Sequence, residues 1–252
     1  MSTFPFEFIR PSQLNNARIM SWFSYKNPDF HSEGAHIEGL NVGFSSNEDQ
    51  HVVLSHIHSL CKSIGIRHRD LALANQIHSN NVLVVDRGGV YPNVDAFVSK
   101  TPGVALGIQV ADCGALLLGD FKNKVIAAVH SGWRGAVGEI VPLTINKMIE
   151  VGAEIHEINA YLSPCLGVHN FEVGEEVSSK FPGHLVNNDD YEKPHVDMVG
   201  LLKEQLIDAG VLTSKIETDG RCTIDEDSLF YSYRREKEQS GRMLAIIKLN
   251  KF

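Results

Sequence analysis

The sequence predicts an α+β fold, a layered sandwich rather than a strictly alternating parallel sheet. Three observations point there. Short apolar, β-branched runs crowd between residues 81 and 130, separated by Gly, Pro and Asn turns. Helical patterns flank this block instead of alternating with its strands. A last apolar run, Met243–Leu249, closes the chain as a strand.

In chain order, the first forty residues read as irregular, with turn formers at Asn27–Pro28–Asp29 and Ser32–Gly34. A helix is expected from about Asn47 to Ile64, stopped by a turn at Gly65. Strands are expected at Asn81–Asp86, Val94–Ser99, Val104–Gln109, Ala115–Gly119 and Val125–His130. A helix should run from near Gly135 to Val151. Pro142 inside it requires either a start close to that residue or a kink. Further helices are expected at Glu172–Phe181 and Val196–Ala209. There is no tandem repeat, low-complexity segment or Pro/Gly/Ser-rich linker, so residues 1–252 read as one domain.

Composition narrows the function. The chain has 252 residues, 43% hydrophobic and 21% charged, and can bury a sizeable core. Its formal net charge is −8 and its longest basic run is Arg234–Arg235. A nucleic-acid partner is not expected, because phosphate backbones are bound by a basic face. No apolar run reaches the length of a membrane-spanning helix, and Met1–Pro11 lacks the basic start and apolar stretch of a secretory leader. Cys61, Cys113, Cys165 and Cys222 are far apart, with no CxxC pair. That argues against a disulfide framework and for the reducing cytoplasm. Nothing in the sequence specifies an oligomeric state.

The chemistry concentrates in the strand block. Ala115–Asp120 and Val125–His130 read as a hairpin with its turn at Lys122–Asn123. If Phe121 pairs with Lys124, Ala115 faces His130, and Cys113 lies two positions beyond at the open end. Diagonal pairs of this kind have Cα atoms roughly 7–8 Å apart, close enough for both side chains to share an ion. The bland reading is that both are simply packed, as buried Cys and His commonly are. His78, just before the strand Val82–Asp86, is the third candidate donor. One thiolate and two imidazoles suit zinc and leave a fourth tetrahedral position open; copper fits the same donors. In His130–Gly135 a strand ends and a helix begins, where free amides and Arg134 could receive an anion. A capped helix with Arg134 in a surface ion pair is the alternative. Asp112 could orient a ligand, act as a general base, or only form a turn. The cations of Phe230–Arg235 read slightly better as an exposed basic edge than as pocket residues. Cys165, after Ser163–Pro164, could approach the site; the pair His56 and His58 has no coherent ligand partner.

Taken together, QIHSNNV (Gln76–Val82), DAFV (Asp95–Val98), ADC (Ala111–Cys113), HSGWRG (His130–Gly135), FEVGEEV (Phe171–Val177), CT (Cys222–Thr223), YSYRRE (Tyr231–Glu236) and SGR (Ser240–Arg242) resemble a known bacterial family. It is called laccase-domain or multicopper polyphenol oxidase-like, and is also described as purine nucleoside phosphorylase and as peptidoglycan editing factor-like. The resemblance implies a layered α/β/β/α sandwich, similar to certain cysteine-hydrolase-like toxin domains, with one zinc ion on His78, Cys113 and His130. It further implies phosphorolysis of adenosine, inosine and methylthioadenosine with adenosine deamination, so that purine nucleosides and phosphate are the expected partners. Departures from the family pattern are Ser79, Ser131, Gly114–Ala115–Leu116, Ser163–Pro164–Cys165, and Phe23–Pro28, where Lys26 is the nearest substitute for an arginine. Three other readings stay open: a copper-dependent phenol oxidase, a metal-free amide hydrolase with Cys113 as nucleophile activated by His130, and a metal-stabilised module binding a cell-wall precursor.

Overall fold

A computed structural model describes residues 6–251; the expectation for Met1–Pro11 falls partly on residues 1–5, outside the described residues. Two six-stranded sheets form the centre. The first runs β1 (Phe8–Ile9), β2 (Ile19–Ser24), β14 (Met243–Leu249), β7 (Ala105–Val110), β3 (Leu71–Asn75) and β5 (Gly89–Pro92). The second runs β13 (Ile216–Thr218), β10 (Ile158–Leu162), β8 (Gly114–Asp120), β9 (Val125–Ser131), β6 (Ala96–Ser99) and β4 (Val82–Val84). A small hairpin joins β11 (Val186–Asn187) to β12 (His195–Val196).

The helices cover the outer faces. On α1 (Gln50–Ser63) the apolar positions Val53, Ile57, Leu60 and Cys61 recur at helical spacing, and Asp49 caps its start. That stripe packs on Trp22, Leu244 and Ile246 of the first sheet. On the other side, α3 (Ile140–Glu150) and α5 (Met198–Asp208) pack on Ala127, Val129 and Leu116 of the second. Between the sheets lie Phe23, Ile108, Leu117, Ile126 and Ile247. The architecture is α/β/β/α. With both sheet faces covered, β9 is buried at every position. Its first five residues, Val125–Val129, are therefore continuously apolar rather than alternating.

The structure departs from expectation at several elements. The first forty residues include β2, a strand buried at almost every position. β3, β5 and β10 also lie in segments where no strand is expected. In β3 the sequence LALAN offers no β-branched residue, and parallel pairing with β7 and β5 decides its conformation. Both outer strands of the second sheet, and β3 and β5 at one edge of the first, pair parallel, while β1 at the other edge pairs antiparallel with β2. The helix expected at Gly135–Val151 is two, α2 (Trp133–Val137) and α3, broken at Glu139, whose φ is 60°. Pro142 sits in the first turn of α3, where its missing N–H leaves no bond unmade. Only α4 (Glu175–Ser178) forms within Glu172–Phe181, because Glu172 bridges to His195 and Val173 N–H donates to Pro194. A final short helix is α6 (Tyr233–Glu236).

Two chain crossovers define one end of the sandwich. After β3 the chain leaves the first sheet through Gln76–Asn81 and enters the second at β4; after β7 it crosses through Ala111–Cys113 into β8. The fully buried Leu117 tests the inter-sheet core. Leu117→Ala should destabilise by about 2–5 kcal/mol in urea unfolding, whereas Leu212→Ala, at a site 44% exposed, should change stability by less than about 1 kcal/mol.

Candidate metal centre

The β8–β9 hairpin forms in the expected register, with Ala115 opposite His130. Asp120 fixes its turn by accepting from the Lys122 and Asn123 amides at 2.9 and 2.8 Å. His130 therefore stands near the end of β9, and Cys113 enters β8 beside it. His78 comes from the other crossover. The donor atoms of His78, Cys113 and His130 all lie within 4.8 Å of one another. Cys113 Sγ is 3.9 Å from His78 Nε2, and the two imidazoles meet edge to face at 4.8 Å. Bond lengths of about 2.0–2.3 Å put donors around a tetrahedral zinc about 3.3–3.7 Å apart, so the cluster is slightly wider than a closed site. Gly132 keeps the space clear: a Cβ there would lie 2.8 Å from His78 Cδ2 and 3.1 Å from Cys113 Sγ. The residues fit a metal ion with one thiolate and two imidazole donors.

Asp95 fixes this arrangement. It is fully buried at the entrance to β6, and its Oδ1 lies 2.8 Å from His130 Nδ1. That contact holds the Nδ1 proton and leaves Nε2 as the metal-facing nitrogen. The same carboxylate accepts from the amides of Ile77, His78 and Ser79 and from the Ser79 hydroxyl. Burial alone would raise the Asp95 carboxyl, but the bonds from His130 and Ser79 outweigh it and hold it at about 2. Burial likewise opposes the Cys113 thiolate; His130 and His78 outweigh it and lower the thiol below its ordinary range. Cys61 is pushed up to about 12 by burial, and burial also raises Cys165.

Both crossovers carry a non-glycine residue in the left-handed region, His78 at φ 59° and Asp112 at φ 81°. Such a conformation costs about 1–2 kcal/mol per residue. Asp95 offsets it at His78 through the three amides. Asp112 is tied by Thr223 Oγ1 and the Arg234 amide, each donating to its carboxylate at 2.6 Å. Both carboxylate oxygens of Asp112 are thus engaged with the C-terminal segments.

The donors face a cavity of about 670 Å³, within the range of small-molecule sites. Phe44, Trp133, Phe171 and Tyr233 line it, with Arg134, Arg234 and Arg242. Arg134 is exposed and its guanidinium stacks on Trp133 at 4.2 Å. No carboxylate pairs with it among the described residues. The segment expected to be an exposed basic edge divides instead. Arg234 faces the cavity, while Arg235 turns away to the carbonyls of Thr223, Ile224 and Phe230. Lys26 pairs with Glu38 at 2.7 Å and does not line the cavity. Cys165 and Cys222 are buried side by side outside the cavity wall. His56 is bound to Asn41 O and Ser32 Oγ. The sequence reading gave no role to Asp95 or Arg242. An aspartate opening an otherwise apolar buried strand, as in Asp95–Val98, is the signal for the first, since a buried carboxylate needs partners.

Fold and site together define a four-layer α/β/β/α domain with a histidine–cysteine–histidine candidate metal centre. The chain belongs to the family whose model, described as "Multi-copper polyphenol oxidoreductase laccase", matches residues 23–250. It is 37% identical over 214 residues to a "Purine nucleoside phosphorylase" of Deinococcus radiodurans, covering 84% of this chain and 82% of the relative. It is 31% identical over 221 residues to "Adenosine deaminase RL5" of an unknown prokaryotic organism, covering 81% and 84%. Among solved structures, YlmD from Geobacillus stearothermophilus has the same fold, with a TM-score of 0.88 at 22% identity over 98% of this chain and 100% of that one.

Asp95→Asn should weaken metal binding about 10–100-fold, measured by competition with a chromophoric chelator, because the amide no longer enforces the His130 tautomer. In metal-free protein at pH 7, iodoacetamide should alkylate Cys113 ahead of the other three cysteines, and added zinc should protect it. The rate should fall as pH is lowered through the depressed Cys113 range, where the thiolate is protonated. Peptide mass mapping reads both effects.

Proposed function

We propose that residues 1–252 form one zinc-dependent domain that phosphorolyses adenosine, inosine and methylthioadenosine, with adenosine deamination as a side activity. The observation that carries this reading is the convergence of His78, Cys113 and His130 on a cavity of nucleoside-compatible size with aromatic walls and guanidinium groups. The names of the relatives, a phosphorylase and a deaminase, support the same substrate class. Zinc is favoured over several coppers because the described residues gather one cluster of three or more donors, and the His56–His58 pair lies on α1 outside it. Four free cysteines, one of them a candidate ligand, support a cytoplasmic location.

Each group has a task in this reading. Phe44, Trp133, Phe171 and Tyr233 supply faces on which a purine can stack. Arg134 meets the anionic co-substrate at the cavity wall. Asp95 fixes the ring of His130 and the loop of His78, and Asp112 holds the Cys113 crossover to the C-terminal segments. A bound zinc ion supplies Lewis acidity for activating water near neutral pH. In phosphorolysis a phosphate oxygen bonds to ribose C1′ as the C1′–N9 bond breaks. The base leaves with the electron pair and gains the proton that hydrogen phosphate loses. In deamination a water oxygen adds at purine C6, and the amine departs as ammonia with a proton from that water.

A second reading draws on the Cys113–His130–Asp95 alignment, which is also the order of a nucleophile, base and orienting carboxylate. His78 favours the metal, because such a triad has no use for a second imidazole 3.9 Å from the sulfur. The decisive assay incubates zinc-loaded protein with adenosine, with and without phosphate, and follows products by chromatography. Adenine with ribose 1-phosphate should form only when phosphate is present, and inosine in either case. Chelation or Cys113→Ala should abolish both. Absence of both products from metal-loaded protein would reject the proposal, and activity that survives chelation with a covalent adduct on Cys113 would favour the hydrolase.

A further inference from the structure

Arg242, at the cavity wall, has the features of an anion holder. Val110 pairs with Met243, so Arg242 stands one place past the end of that ladder, beside the Ala111–Cys113 crossover. Its backbone is clamped: its amide donates to Asn41 Oδ1 at 3.0 Å, and its carbonyl accepts from the Val42 amide. Its stem lies directly on Gly43, where a Cβ would come within 2.3 Å of Arg242 Cγ. Its guanidinium stands 5.5 Å from the Tyr233 ring centre, and Nη1 donates to the Ser240 and Gly241 carbonyls, both at 2.8 Å. Nε and Nη2 have no protein acceptor among the described residues.

The charge on this side chain also has no carboxylate paired with it among the described residues. Arg242 is partly buried and lines the cavity. Burial lowers its pKa from the ordinary value. The nearby anionic groups are engaged elsewhere: Cys113 is a candidate metal donor, Asp112 accepts from Thr223 and Arg234, and Glu238 accepts from the Tyr233 hydroxyl. A desolvated guanidinium without a bonded counter-charge is costly unless an anion completes it. Its free edge is a planar fork suited to two oxygens of one oxyanion. Arg134, by contrast, is exposed and stacks on Trp133.

We propose that Arg242 holds the inorganic phosphate co-substrate, gripping two of its oxygens through Nε and Nη2 beside the three metal donors. This rests on the phosphorolysis reading and adds the residue that grips the nucleophile inside the cavity, with exposed Arg134 meeting it at the wall on entry. Gly43 is then a positioning residue, leaving room for the Arg242 stem.

The test compares wild type, Arg242→Gln, Arg242→Lys and Arg134→Gln as zinc-loaded proteins, with metal content and thermal melting checked for each. For Arg242→Gln the KM for phosphate should rise on the order of tenfold or more, with the KM for adenosine changed by less than about threefold. Arg242→Lys, which keeps the charge but not the fork, should recover part of the loss. Unchanged KM for phosphate in Arg242→Gln, or a larger rise in Arg134→Gln, overturns the assignment. If wild type forms no ribose 1-phosphate, the phosphorolysis reading fails by itself. Calorimetric titration of inorganic phosphate then decides the Arg242 site: a similar loss of affinity in Arg242→Gln sustains it, and equal affinity overturns it. Equal phosphate affinity together with AMP binding lost in Arg242→Gln would assign the site to a nucleotide phosphoryl group instead, and would also overturn the proposal.

Discussion

The Asp95 carboxylate, buried where β6 begins, accepts hydrogen bonds from the amides of Ile77, His78 and Ser79 while its Oδ1 orients His130. One charged group thus joins a loop leaving the first sheet to a strand of the second. It also holds His78 in a left-handed conformation that its side chain alone would disfavour. An unpaired buried carboxylate would be strongly destabilising, so the four protein donors and the imidazole are conditions of its burial as well as consequences. Two of the three candidate metal ligands depend on this contact for their placement.

The sandwich makes such a contact available. Strands that change sheets must cross at an end of the structure, and two do so at the same end, bringing His78 and Cys113 together. β9 adds His130 from within the second sheet. The antiparallel pairing of β14 with β7 then delivers the segment ending at Arg242 to the same place. Donors, aromatic walls and guanidinium groups therefore come from segments spread from Phe44 to Arg242.

The local electrostatics run against those of the whole chain. The net charge is −8, yet Arg134, Arg234 and Arg242 all line the cavity, where Asp112 is already hydrogen-bonded to the protein. A cavity of this kind favours an anion, as the proposed reaction between phosphate and a neutral nucleoside would require.

Much of the centre was legible in the sequence because it rests on local rules. The turn at Lys122–Asn123 sets the hairpin register, and the register puts His130 next to Cys113. Helix α1 lies within the stretch that reads as helical up to Gly65, and the start of α3 close to Pro142 follows from the geometry of proline. Position at a strand entrance nominated His78 as the third donor, and the family motifs added a single shared ion and the order of the layers. The tertiary structure decided what depends on partners distant in sequence. β3 is a strand because β7 and β5 flank it, not because LALAN prefers one. Asp95 is an organiser because burial forces it to collect donors from another loop. Arg242 and Arg235 are chemically identical in sequence, yet Arg242 lines the cavity with only Nη1 given to carbonyls, while both Nη atoms of Arg235 are bonded away from it. Side-chain type was enough to nominate ligands; only the packing of two sheets could fix which charges are left without a partner.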